Sequence, residues 1–388
     1  MFKHSSTPRQ DWKNIVEGQG LLWHSSSDLP YWNEDSYYAF SKEQALELET
    51  AGNACYQMFL TAGDYIIQHN MLDKFGIPEH FHQYIIQMWD REPPALNYGR
   101  FDFAYNGYGK PKLLEFNCDT PTSLLEASVV QWHWKEALFP EMDQFNGIHE
   151  ALVAKWKDIK PELAADHVWF THADDGSGED AVNVSYMRDI AEEAGIITHG
   201  IFIEDIGWDG SMFVDTDNYE MSTIQHLYPW EWLANEEISK YIAENWDITT
   251  WIEPVWKMMW SNKAILPILY SLFPTNPYLL PTYFHDPRIR SGVTGQVVTN
   301  NSWVKKPILA REGANISIYE GTKLLHGTDG DYGEEGYVWQ ERYFLPEFEG
   351  KYPVLGVWNV DGISVGMGIR EDGLITGNTA KFVPHIIS

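Results

Sequence analysis

The stretch from Leu96 to Asp119, LNYGRFDFAYNGYGKPKLLEFNCD, limits the fold more than any other segment of the chain. Its first half alternates, with Arg100 and Asp102 on one face and Phe101 and Phe103 on the other, which is the period of a strand. NGYGKP is turn chemistry and KLLEFN begins a second strand, so the segment predicts a β-hairpin. Residues i and i+2 of a strand project to one side, so Glu115 and Asn117 point together, and Asp102 faces them if the hairpin pairs across that turn. Two carboxylates and a carboxamide are hard oxygen donors of the kind Mg²⁺ accepts beside phosphate oxygens and water. Polar residues on a solvated edge strand account for the same pattern.

The flanking periodicities organise the rest. Residues 41–69 read as one long helix opened by a Ser41/Gln44 capping box, and PEHFHQYIIQMWD as a second. Residues 120–139 read as helical. From 166 the texture changes: HVWFTHA, EDAVNVSYMRDIAEEAG and IITHGIFIED give strand, helix and strand, hence a parallel pair. WEWLANEEISKYIAENW supplies a further helix. Residues 166–254 are therefore expected to form a small inserted α/β domain, leaving 1–165 and 255–388 as one larger unit. After 255 an apolar helix (NKAILPILYSLFP) precedes a series of antiparallel strands.

Charge narrows the partners. Asp and Glu number 56 against 27 Lys and Arg, a formal net charge of -29. Such a surface repels nucleic acid and anionic lipid, and suits a cationic partner such as a polyamine; a solvated acidic surface kept soluble explains it as well. An anionic ligand would require the few basic residues to gather around it. Two cysteines make no disulfide framework, no apolar run reaches membrane-spanning length, and the N-terminus lacks the apolar core of a secretory signal, so the cytoplasm is the expected compartment.

Several basic residues stand in unusual contexts. In VKKPILAREGANI, Lys306 ends a β-run, and Arg311, Gly313 and Asn315 occupy a loop of small residues that suits phosphates; a tight turn between strands explains the glycine equally. Lys263 leads into an apolar helix, either as a ligand or as a snorkelling side chain. Gln340 and Glu341 close the run YVWQE, where backbone groups could edge an adenine pocket or simply end a strand. Arg370, in VGMGIRED, reads as a phosphate clamp or as a partner for Glu371 or Asp372. Cys118 has no histidine near it in sequence, and neither HExxH nor paired CxxC spacing occurs, which disfavours thiol and zinc chemistry.

Six segments, GRFDF, LLEFNCDTPTSLLE, NKAILPILYSLFP, VKKPILAREGANI, QERYFLP and GMGIRED, occur in the order found in the synthetase domain of the glutathionylspermidine synthase family, and the chain resembles most the shorter bacterial acid–amine ligase relatives of that domain. The resemblance runs from about residue 12 to the C-terminus and lacks the preceding amidase domain. It implies an α+β ATP-grasp fold with an inserted α/β (pre-ATP-grasp-like) domain, in which 1–165 and 255–388 clasp ATP. It implies an ATP- and Mg²⁺-dependent ligase that joins a carboxylic acid or peptide to an amine through an acyl phosphate. By the same resemblance Arg100 contacts the acid and the moving phosphoryl group, Arg370 stabilises its transfer, and Asp102, Glu115 and Asn117 hold magnesium. Lys263, Lys306, Gln340 and Glu341 fall at the ATP, and Arg311 through Asn315, with Gly313, at a lid over it. Thr120 and Thr122 stand where the family has serines for the acid substrate, Glu179 and Asp180 where a glutamate pair reads substrate charge, and Leu227 near a position where a threonine would contact glutathione. A small-molecule kinase and a non-catalytic nucleotide-binding protein remain as alternatives on the same nucleotide site.

Overall fold

The computed structural model describes residues 1–26, 29–174, 176, 178–288 and 301–388. Helix α1 (Lys42–Gln68) is opened by the expected box: Ser41 Oγ accepts from the Gln44 N–H while the Gln44 side chain accepts the Ser41 N–H. Its apolar stripe, including Leu48, Cys55, Phe59 and Ile66, is buried. A second helix, α2, spans Glu79–Arg91.

Strands β1 (Tyr98–Ala104) and β2 (Lys112–Asn117) form the hairpin, with Arg100 opposite Asn117 and Asp102 opposite Glu115. Phe101 and Phe116 stack at 3.7 Å, and Phe59 of α1 meets both rings edge-on. Burying each ring contributes about 1.5–3 kcal/mol, which commits this face of the hairpin to the core and leaves the polar face to the other side. The ladder carries a bulge: Phe103 pairs with Leu113, so Leu114 is an extra residue without a partner on β1. Arg100 and Asp102 are 5% and 1% exposed, so they are not solvated edge residues.

The helix expected from residue 120 starts at 124 and runs to Leu138, with a π-helical turn at Glu126–Val130. Tertiary bonds hold the preceding residues out of it. The Asp119 N–H donates to Ser261 Oγ at 2.9 Å, and Asp119 Oδ2 accepts the Trp230 N–H at 2.8 Å. Ser123 has φ +67°, in the left-handed region.

The expected strand–helix–strand is present as β3 (His167–His172), α3 (Glu179–Glu193) and β4 (Ile197–Phe202), followed by β5 (Thr223–His226), α4 (Trp230–Leu233) and β6 (Thr250–Ile252). These strands make a parallel sheet in the order β6-β5-β3-β4. The single helix expected after Trp230 is two short ones, α4 and Ser239–Glu244, because the Asn235 and Glu236 N–H groups close i→i−3 bonds that tighten and end the first. An ion pair with both side chains fully buried ties this sheet to the hairpin. Glu253, just past β6, meets Lys257 at 2.9 Å and accepts the Leu96 N–H, while Lys257 Nζ donates to the Tyr98 carbonyl.

Beyond it lie α5 (Ile265–Leu272), β7 (Thr282–Tyr283), β8 (Ser302–Pro307), β9 (Ser317–Glu320), β10 (Lys323–Gly327), β11 (Tyr337–Glu341), β12 (Tyr352–Val360), β13 (Ile363–Asp372) and β14 (Lys381–Phe382). They complete two antiparallel five-stranded sheets, β14-β13-β12-β1-β2 and β7-β11-β8-β9-β10. The C-terminal segment His385–Ile387 returns to pair in parallel with Ser36–Phe40. There His385 is buried, with Nδ1 3.0 Å from Gln131 Oε1 and Nε2 accepting the Phe145 N–H, and burial favours its neutral imidazole. Among the described residues no helix is long and apolar enough to cross a membrane.

Candidate active site

A cavity of about 630 Å³ opens where both antiparallel sheets and the parallel sheet meet. Among the described residues six basic side chains line it: Arg100, Lys263, Lys306, Arg311, Arg342 and Arg370. The register of the hairpin places the first carboxylate. Asp102 Oδ1 accepts from Arg100 Nε at 2.7 Å, and Asp102 Oδ2 accepts from Arg370 Nη2 at 2.7 Å and from Asn117 Nδ2 at 3.1 Å. Arg370 reaches it from β13, and burial together with the charge of Arg100 lowers the pKa of its guanidinium. The guanidinium of Arg100 is steered from behind, since Gly356 of β12 faces it and a Cβ there would lie 2.5 Å from Arg100 Cδ.

Glu115, the second carboxylate, is 3.0 Å from Lys263 Nζ. Burial would raise its pKa, but Lys263, Lys306 and Arg370 outweigh burial and hold it at about 2. Lys263 also donates to the Ala310 carbonyl. Lys306 reaches across from the second sheet to Gln340 Oε1 at 2.8 Å and to the Leu114 carbonyl at 3.2 Å, the carbonyl that the bulge frees. Burial lowers Lys306 to about 8, with Lys263 adding to the effect and Glu115 opposing it. Gln340 Nε2 in turn donates to the Leu113 carbonyl.

The loop after β8 closes one side. Arg311 Nη2 donates to Thr120 Oγ1 at 2.6 Å, and its guanidinium sits 5.2 Å from the Trp232 ring and near Glu231. Gly313 is at φ +68°, and a Cβ there would meet the Thr376 carbonyl at 2.5 Å, so the loop packs closely on the segment after β13. Asn315 does not line the cavity; its Oδ1 accepts the Tyr332 N–H at 2.8 Å and fastens the base of the loop. Thr120, Thr122, Glu179, Asp180, Gln340 and Glu341 all line the cavity.

Sequence reasoning assigned no role to Asp119, Glu231, Trp232 and Arg342, which also line it. Burial, and then the charge of Glu231, push Asp119 up to about 8, and its Oδ1 has no hydrogen-bond partner among the described residues. The signal for Asp119 was its place beside Asn117 at the strand end. Glu231 and Trp232 lie in a segment read only as a helix, and Arg342 in QERYFLP, where only Gln340 and Glu341 were given roles.

The donor set can be weighed against magnesium. Among the described residues no three His, Cys, Asp or Glu side chains gather as a metal site. The polar face offers two carboxylates and a carboxamide, which fits an ion that takes most of its ligands from phosphate oxygens and water. Around those two carboxylates stand four cations, Arg100, Arg370, Lys263 and Lys306, leaving a net charge of about +2 that complements a magnesium nucleotide of about −2.

These sheets form an ATP-grasp fold, and the family and relatives of the chain place it among the ATP-dependent ligases. The chain belongs to the family described as "Glutathionylspermidine synthase preATP-grasp", whose model matches residues 3–388. It is 38% identical over 376 residues to a Haemophilus influenzae protein named "Putative acid--amine ligase", covering 93% of this chain and 92% of that one. It is 28% identical to the trypanothione synthetase of Crithidia fasciculata over 89% of this chain, and 27% identical to the bifunctional glutathionylspermidine synthetase/amidase of Escherichia coli over 92%. It spans only 56% and 60% of the lengths of those two. The fold is similar to a glutathione synthetase-like effector of Globodera pallida, with a TM-score of 0.59 at 10% identity, covering 98% of this chain and 96% of that one.

Proposed function

We propose that the protein joins a carboxylic acid to an amine, using MgATP to activate the acid as an acyl phosphate. A carboxylate is a poor electrophile because oxide is a poor leaving group. Attack of its oxygen on the γ-phosphorus breaks the bond to ADP and installs phosphate as the leaving group. The amine nitrogen then attacks the carbonyl carbon, phosphate departs, and the nitrogen sheds a proton. Such a reaction needs little covalent help from protein; it needs like charges neutralised and reactants aligned.

The observation that carries this reading is the convergence of Arg100, Asp102, Glu115, Lys263, Lys306 and Arg370, from segments far apart in the chain, on one cavity. Arg100 and Arg370 would hold the acid and the moving phosphoryl group, and Lys263 and Lys306 the remaining phosphates. Asp102, Glu115 and Asn117 would hold Mg²⁺, which supplies charge neutralisation at the phosphate oxygens. The segment through Gln340 and Glu341 would edge the adenine. The loop from Arg311 through Gly313 to Asn315 would exclude water, which otherwise hydrolyses the acyl phosphate. Thr120 and Thr122 are placed for the acid. Glu179 and Asp180, with Glu231 lining the same cavity, favour a cationic amine, a polyamine among the candidates. In this reading residues 1–165 and 255–388 form the catalytic unit, and 166–254 the inserted unit that receives the substrates.

The test is phosphate release with ATP and Mg²⁺ across pooled acids and amines, followed by the product mass. The reading requires a product equal to acid plus amine less water, and loss of turnover with EDTA. A phosphorylated acid that accumulates without any amine requirement would make the protein a kinase, and absence of turnover across the panel would leave only nucleotide binding.

A further inference from the structure

Arg100 has one bond that its strand does not explain: Nη1 donates to the Thr122 carbonyl at 2.6 Å. The direction of that carbonyl depends on the next residue, and Ser123 sits at φ +67°, a conformation that disfavours an L side chain by roughly 1–2 kcal/mol. Something must hold the turn there. Ser123 Oγ lies 3.3 Å from the Tyr31 hydroxyl, which donates to Glu126 Oε1 at 2.7 Å. Glu126 is wholly buried, and its Oε2 has no hydrogen-bond partner among the described residues. Tyr31 is itself pinned at the backbone: its N–H donates to the His24 carbonyl and its carbonyl accepts the Phe382 N–H, both at 2.9 Å. From the other side the Leu124 N–H donates to Asn183 of α3. Tyr31, Ser123 and Glu126 are not among the residues that line the cavity, so they act on chemistry only through residues that do, and the Thr122 carbonyl bonded to Arg100 is such a route. A buried carboxylate with one unpartnered oxygen is a poor way to stabilise a fold.

We propose that Tyr31 is a positioning residue for Arg100: anchored by Glu126, its hydroxyl keeps Ser123 in the left-handed turn that aims the Thr122 carbonyl at the guanidinium. The contact rests on geometry; its kinetic consequence rests on the ligase reading. Loosening the carbonyl lets the guanidinium rotate about the Asp102 carboxylate, which misaligns the group expected to meet the moving phosphoryl.

The experiment uses the full chain as wild type, Tyr31→Phe, Glu126→Gln, Arg100→Lys and Tyr31→Phe/Arg100→Lys. In Tyr31→Phe, kcat falls roughly ten- to a hundredfold, with KM for ATP and amine within about twofold and the melting temperature nearly unchanged. Glu126→Gln keeps an acceptor for the Tyr31 hydroxyl and retains most of the rate. Adding Tyr31→Phe to Arg100→Lys causes no further loss, as expected when one residue acts through the other. A second readout needs no activity. With ¹⁵N-labelled arginine, the Nε–H resonance that disappears in Arg100→Lys shifts or broadens in Tyr31→Phe. An unmoved resonance overturns the proposal, as does an additive loss in the double variant. A wild type inactive on every acid and amine would defeat the ligase reading instead, and the resonance would still decide the role of Tyr31.

Discussion

Arg370 and Asp102 are 268 residues apart in the chain, yet Arg370 Nη2 donates to Asp102 Oδ2 at 2.7 Å. Asp102 thus carries two guanidiniums, Arg100 from its own strand and Arg370 from β13. Arg370→Ala should lower acid-dependent ATP turnover by roughly 10²–10³-fold, the usual loss when one preorganised charge leaves a transition-state site. Its melting temperature should stay close to wild type, since Arg100 still pairs with Asp102. Asp102→Ala strips the counter-charge from both guanidiniums and should cost about 3–5 kcal/mol of stability. Steady-state kinetics and denaturation of both variants check this, and turnover within a few-fold of wild type in Arg370→Ala removes Arg370 from the chemistry.

Gly356 faces the same guanidinium, and a methyl group there would meet Arg100 Cδ at 2.5 Å and Cγ at 3.0 Å. Gly356→Ala should therefore displace Arg100 and reduce kcat at least tenfold, with an overpacking penalty of about 1–3 kcal/mol. Gly63→Ala is the control. Its added carbon would meet the Trp89 ring at 2.2 Å, and neither residue lines the cavity, so a comparable loss of stability should come with little loss of rate. Equal rate losses in the two would mean that general strain, not Arg100, is responsible.

The buried Glu253–Lys257 pair fastens the parallel sheet to the hairpin. Removing one partner leaves an uncompensated charge, so Lys257→Met should destabilise by about 3–5 kcal/mol. Adding Glu253→Gln keeps the acceptor for the Leu96 N–H while discharging the site, and should recover a large part of that loss. Urea denaturation of the two variants measures the difference; a double variant no more stable than the single one contradicts it.

His385 links acidity to stability. Burial pushes its imidazole down to about 3 in the folded chain. The unfolded state therefore binds a proton that the native state refuses, so this contribution is fully present above about pH 6.5 and is lost as the pH falls toward 3. The slope from this one group is about 1.4 kcal/mol per pH unit within that window. In His385→Gln, where the amide can replace both hydrogen bonds, stability between pH 6.5 and 5 should depend less steeply on pH than in wild type. Identical slopes in guanidinium denaturation would clear His385 of the effect.

Patterns that are local in the chain were legible as sequence. The alternation of Arg100, Phe101, Asp102 and Phe103 fixed the two faces of β1, and the Ser41/Gln44 box marked the start of α1. The strand–helix–strand after residue 166 was visible because its periods change sharply. The helix expected from 120 failed because Asp119 is bound by Trp230 and Ser261, contacts made only after folding. The Tyr31–Ser123 contact spans 92 residues and carries no periodic signature at either end. Glu231 is brought to the cavity beside Trp230, whose N–H is bound by Asp119 Oδ2 from 111 residues away, a contact with no local signature in the sequence.

Leu114 is a residue the hairpin could do without. Were it deleted, Phe103 would still sit beside Leu113 and Asp102 beside Glu115, and the two strands would zip into an uninterrupted ladder with every side chain on its present side. The carbonyl that Lys306 now grips would be gone. A one-codon loss here would keep the two strands paired and yet strip the Lys306 ammonium of one of the two oxygens that hold it, leaving it Gln340 Oε1 alone.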